Sequence, residues 1–270
     1  MRRFALAQVV VVAMAVSACA TSSVPQTALD DAPPQMLNAF FGLDDALPPV
    51  AAMLCPEGPG ADGMPVTFSH RLLGDGPEGA NVDPSAFVVV TRSGQRKMPA
   101  CATLRPAVDD TEGHTVLLIG DLGDGEEDPP VRVEVVGPLP LQGGGDANGL
   151  VAPVTALEDG PSLVLALQVP RDAVDSACPE AAPSVVIVVW AGGVQPVAGA
   201  TDDDHRQMYT LVVDDSTTTP VALGDINDND NYVHLCVDDD VVVDEVRATA
   251  GGVVDPRNDA NPATWVQVSR

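Results

Sequence analysis

"SVVIVVWAGG", residues 184–193, decides how the rest of the chain is read. It is short and rich in valine, and Pro183 and a glycine pair bound it, which marks a β-strand rather than a helix. The same signature recurs along both halves of the 270 residues. In the first half it falls at 65–73, 86–92, 100–106, 115–122 and 131–137. In the second it falls at 162–169, 184–193, 207–213, 219–223, 231–237, 241–248 and 264–268. Strands this closely spaced, with no 3.6-period segments between them, predict antiparallel sandwiches and not a doubly wound sheet. The expected fold is all-β, two tandem immunoglobulin-like antiparallel β-sandwich domains at 48–140 and 150–270. The glycine-rich "LQGGGDANG" (141–149) is expected to be the linker between them.

Composition narrows the function classes. There are 39 acidic side chains against 13 basic ones, a formal net charge of −26. Such a surface repels nucleic acid and anionic lipid headgroups, and suits divalent cations or cationic partners. Catalytic signatures are lacking: there is no G-x-S-x-G, no H-E-x-x-H and no phosphate loop ending in Lys-Ser/Thr. "GPGADG" (58–63) matches G-x-G-x-x-G only formally, since it follows Cys-Pro-Glu instead of a strand. The carboxylates of "GDGEEDPP" (123–130) read as a hairpin loop.

At the N-terminus Arg2 and Arg3 precede a largely apolar run, Phe4 to Val16, which is too short to be a permanent span. It closes in "VSAC" (16–19). This tetrapeptide resembles the lipobox of bacterial lipoproteins. The resemblance implies cleavage after residue 18, lipidation of Cys19 and attachment to the membrane through acyl chains. Ala20, in place of aspartate, resembles the sorting choice for the outer membrane. An ordinary secretory signal cut near "ACA" is the alternative, and it too exports the chain. Residues 19–47 are expected to hold the lipidated cysteine and a tether. Thr21 to Gln35 are polar and proline-bearing, and Met36 to Leu47 form an apolar patch, either a helix or a segment packed on a domain edge.

Once Cys19 is set aside, Cys55, Cys101, Cys178 and Cys236 remain, an even number in an oxidising compartment. Four cysteines allow three pairings. "CPE" occurs at 55–57 and again at 178–180, each time followed by one further cysteine, which favours Cys55 with Cys101 and Cys178 with Cys236. Free thiols or a cysteine-ligated metal are the alternatives, but no pair has zinc-site spacing.

The most acidic stretch is "GDINDNDNYVHLCVDDD" (224–240). Read as an EF-hand loop from Asp225 it fails, because the sixth residue is Asp230 and the twelfth Cys236. Asp225, Asn227, Asp228 and Asn229 match the D-x-N-D-N string, and the stretch resembles the calcium linker of cadherin repeats. Asp202 and Asp204 stand in the D and E places of the cadherin acidic element relative to Tyr209, with Asp203 where arginine belongs. The resemblance implies a calcium site made of Asp202, Asp204, Asp225, Asn227, Asp228 and Asp230; a solvated acidic turn is the plainer alternative. The overall expectation is a non-catalytic envelope lipoprotein whose sandwich domains bind an envelope protein or polymer, with calcium as a stabilising ion. The alternative is a metal-dependent hydrolase with His205 or His234 as its acid/base.

Overall fold

The computed structural model describes residues 32–76, 79–109, 111–224 and 230–270. It is built of two curled β-sheets, each closed over its own apolar core. The first sheet contains β1 (Met36–Phe40), β2 (Asp62–Phe68), β3 (Asn81–Val82), β4 (Phe87–Thr91), β5 (Arg96–Lys97), β6 (Cys101–Thr103), β7 (Thr115–Gly120), β8 (Pro130–Val135) and β9 (Val151–Thr155). Its spatial order is β3-β6-β7-β2-β1-β9-β8-β4-β5.

The second unit runs from β10 (Leu163–Pro170) and β11 (Ser184–Trp190) through the short β12 (Gln195–Pro196) and helix α1 (Asp202–Gln207). It continues with β13 (Tyr209–Val213), β14 (Ser216–Thr218), β15 (Ala222–Leu223), β16 (Tyr232–Val237), β17 (Glu245–Ala248), β18 (Val253–Val254) and β19 (Thr264–Ser269). Its main sheet has the order β14-β13-β17-β19-β10-β11-β16-β15, while β12 and β18 form a separate ribbon. Both orders follow the immunoglobulin-like scheme, in which the first strand joins the two halves of the sandwich.

Pairing departs from antiparallel at one place in each unit. The first strand lies parallel to the last, β1 with β9 and β10 with β19. The first strand thus pairs on both sides and joins the two halves of its sheet, whose edges are short strands such as the fully exposed Ser216–Thr218, which limits edge-to-edge association.

Two expected boundaries move. Met36–Phe40 is neither helix nor tether; it is an interior strand between β2 and β9, drawn in because Phe40 and Phe41 are fully buried. Each large apolar side chain so buried contributes roughly 1.5–3 kcal/mol. The segment 141–149 is not the linker. Gly149 N–H donates to the Val135 carbonyl and Ala147 N–H to the Leu139 carbonyl, so it is the loop between β8 and β9, and β9 completes the first sheet. The connection between the sheets is 156–162, where Leu157 is buried in the first core.

The continuous apolar run of β11 has a direct cause: both its faces are covered. Val186, Val188 and Trp190 face the second core. Val185, Ile187 and Val189 face an outer cluster with Val174, Cys178, Ala182 and, from the first unit, Ala107. The first unit repeats the arrangement. The segment around the 3₁₀ turn Pro49–Met53 covers the outer side of β7, packing Leu47, Ala51 and Cys55 on Ile119. A disulfide fastens each covering segment to the sheet beneath it, Cys55–Cys101 and Cys178–Cys236, as the repeated "CPE" predicts.

Candidate functional site

The two sandwiches meet where the acidic stretch ends. Asn231 donates from Nδ2 to Thr115 Oγ1 of the first sheet at 3.0 Å and to the Trp190 carbonyl of the second at 2.8 Å. Thr115 Oγ1 lies 3.0 Å from Thr67 Oγ1. The Tyr232 hydroxyl accepts the His114 backbone N–H at 2.9 Å. Asp230 fixes the turn by accepting the Tyr232 N–H at 2.7 Å. All these groups are buried, so each satisfied partner matters: losing one leaves a polar group without water or protein to bond it.

Burial sets the charge states here. His114 is held neutral, its pKa pushed down to about 3 chiefly by burial, with Arg71 and His70 adding repulsion. It donates from Nδ1 to the Phe68 carbonyl at 3.2 Å. Burial pushes the Tyr232 phenol up. Close packing continues beside this network: a Cβ on Gly192 would come within 2.7 Å of Phe40 Cδ1.

Next to this joint lies a groove of about 600 Å³. Leu43, Leu47, Val50, Ala51 and Met53 form one wall and Leu104, Ala107 and Leu117 continue it, while Gly192, Gly193 and Pro256 close it from the second unit. Its few polar groups gather at Arg105, Thr115, Asp230 and Asn231. Val50 and Met53 stand 63% and 78% exposed on the rim. The Cys55–Cys101 bridge holds the segment that carries this wall. The sequence hinted at the groove only through the apolar patch 36–47, because its two walls are far apart in the chain: Leu117, the last of one, and Gly192, the first of the other, stand 75 residues apart.

The expected calcium ligands divide. Asp225, Asn227 and Asp228 lie outside the described residues. Asp204 is engaged locally: it accepts the Thr201 N–H and hydroxyl while Thr201 accepts the Asp204 N–H, a capping box at the start of α1. Those hydrogen bonds hold its carboxyl below the usual range. Asp202 sits in the same first turn, where the helix dipole favours negative charge. Asp230 belongs to the interdomain joint. Among the described residues Asp202, Asp204 and Asp230 do not converge into a metal-ligand group. The group that does converge, Cys55, Glu57 and Cys101, contains two sulfurs already joined in a disulfide. His205 and His234 are both buried, so neither presents its ring to a substrate. Burial lowers the His205 pKa, and its ring packs 5.8 Å from that of Tyr209. Cys19 lies outside the described residues. No helix among the described residues is long and apolar enough to cross a membrane.

No family model matches the chain, and no curated protein or solved structure matches it.

Proposed function

We propose that this chain is a lipid-anchored protein of the bacterial cell envelope, at the outer membrane, that binds a ligand and does not catalyse. Its ligand is an elongated aliphatic group held in the groove between the two sandwiches. The groove carries this reading: an apolar cleft at a domain interface with a few convergent polar groups is where small ligands bind. Its walls are almost entirely aliphatic, which suits a flexible hydrocarbon chain better than a flat ring. The polar cluster at Arg105, Thr115, Asp230 and Asn231 would face the head of such a ligand. Attachment rests on the lipobox-like "VSAC". Acyl chains contribute roughly 0.8 kcal/mol per buried methylene, so two or more hold a protein firmly on a bilayer. The acidic surface keeps nucleic acid away.

Titration of the purified chain with a fluorescent long-chain fatty acid tests the groove. Saturable emission enhancement, competed by unlabelled fatty acid and weakened in a Val50→Asp, Met53→Asp double variant with melting unchanged, is expected, since both side chains line the groove from its exposed rim. Absence of saturable binding overturns it. Mass spectrometry of membrane-extracted protein tests the anchor, with an acylated N-terminal Cys19 expected and an unmodified N-terminus counting against it.

A further inference from the structure

We propose that the outer face of the β13-β17-β19 sheet in the second unit is a glycan-binding platform centred on Trp265. This site is independent of the groove.

Trp265 is 61% exposed. Every other aromatic side chain among the described residues is at most 2% exposed. Among the described residues the other aromatic rings are buried, and this one large flat ring stands on a sheet face.

The neighbours of Trp265 are set by register. Thr210 pairs with Arg247, and Arg247 with Trp265, so these three form one row across the strands. Val212, Glu245 and Gln267 form the next. The alternate residues Leu211, Val246 and Val266 point into the core, so both rows face outward. Within the second row Gln267 donates from Nε2 to Glu245 Oε2 at 2.8 Å. Arg247 donates from Nε to the other carboxylate oxygen. Glu245 thus tethers two planar side chains on the face that carries the indole.

This composition matches a pyranose chain. Aromatic rings pack against the apolar C–H face of a sugar, and indole does so with little side-chain entropy to lose. Guanidinium, amide and carboxylate groups exchange hydrogen bonds with hydroxyls. Strands lie roughly 4.8 Å apart, close to the length of one pyranose unit, so a β-1,4-linked chain crossing the strands sets one ring on each. Charge selects further. Arg247 neutralises Glu245 locally, while the chain as a whole carries −26, so a neutral glycan is accepted and a polyanionic one repelled.

The test titrates the full chain with a hexamer of β-1,4-linked glucose and with a hexamer of β-1,4-linked N-acetylglucosamine, following tryptophan emission. The other tryptophan, Trp190, is fully buried, so the change reports Trp265. The expected result is a saturable shift with at least one hexamer, weakened tenfold or more in Trp265→Ala and largely kept in Trp265→Tyr. Arg247→Ala and Gln267→Ala should weaken binding severalfold. Because all three side chains are exposed, each variant should melt as the parent does. No shift with either hexamer overturns the proposal, as does equal binding by Trp265→Ala. A blue shift that follows protein concentration without sugar also overturns it, and makes the face a self-association surface.

Discussion

The Tyr232 hydroxyl accepts the backbone N–H of His114 across 118 residues of sequence, a bond that ties the start of β16 in one sandwich to the start of β7 in the other. Both groups are buried, so the bond does more than orient two domains. Removing either partner while the joint stays closed leaves the other buried and unsatisfied.

Tyr232→Phe removes that acceptor and leaves the amide of His114 buried without a partner. A loss of about 1–3 kcal/mol is expected, measured by chemical denaturation. A change within a few tenths of a kcal/mol would falsify the burial of the joint.

Gly192→Ala places a Cβ 2.7 Å from Phe40 Cδ1. Overpacking of this kind costs about 1–3 kcal/mol. The strain falls on the joint between the two units, so faster limited proteolysis at 156–162 and a larger radius of gyration in small-angle scattering are expected. Unchanged scattering and cleavage would show that the domains accommodate the methyl without moving apart.

His114 makes the joint sensitive to acid. Its folded pKa, about 3, lies below the ordinary histidine value of 6.5, so the unfolded chain binds the proton first. Stability contributed by the neutral ring is present above pH 6.5 and is lost as pH falls toward 3. The slope approaches 1.4 kcal/mol per pH unit for a single site. The carboxyl of Asp62, raised by burial, acts in the opposite sense: it favours the fold at low pH and loses that contribution as pH rises through its own range. The histidine contribution is already declining between pH 6.5 and 5. Urea unfolding of the parent and His114→Gln across that interval should show the steeper decline in the parent.

Removal of the Cys55–Cys101 bridge in a double alanine variant should act on the groove more than on the second sandwich. Closing a loop of 46 residues stabilises by roughly 4 kcal/mol in the chain-entropy model. The released segment carries Leu47, Ala51 and Met53, which wall the groove. Weaker fatty-acid binding, together with unchanged protection of the β11 and β16 amides in hydrogen exchange, is the expected outcome.

Legibility in the sequence followed whether a signal was local. The twelve runs read as strands each contain one, and their cause is local: β-branched residues bounded by glycine, proline or aspartate fit a pleated, covered surface. The disulfide pairing was legible because each "CPE" precedes one further cysteine within the same sandwich. The short strands β3, β5, β12, β14 and β18 carry too few residues to show a period. The interior strands β1 and β9 escaped for another reason. Each is held by partners distant in sequence, β1 by a parallel strand that begins at Val151, and a window of ten residues contains no trace of that neighbour.

The acidic stretch shows the same division within a few residues. Its composition marked Asp202, Asp204 and Asp230 as oxygen donors of an acidic turn or a calcium site, and put Asn231 and Tyr232 at the start of a strand run. The Thr201–Asp204 capping box is a contact three residues apart and so is local, whereas only the tertiary structure decided that Asn231 and Tyr232 would be buried between two sandwiches. The reason is that strand propensity and turn chemistry depend on a residue and its near neighbours. Burial of a polar side chain depends instead on which surface arrives to cover it and to accept its hydrogen bonds.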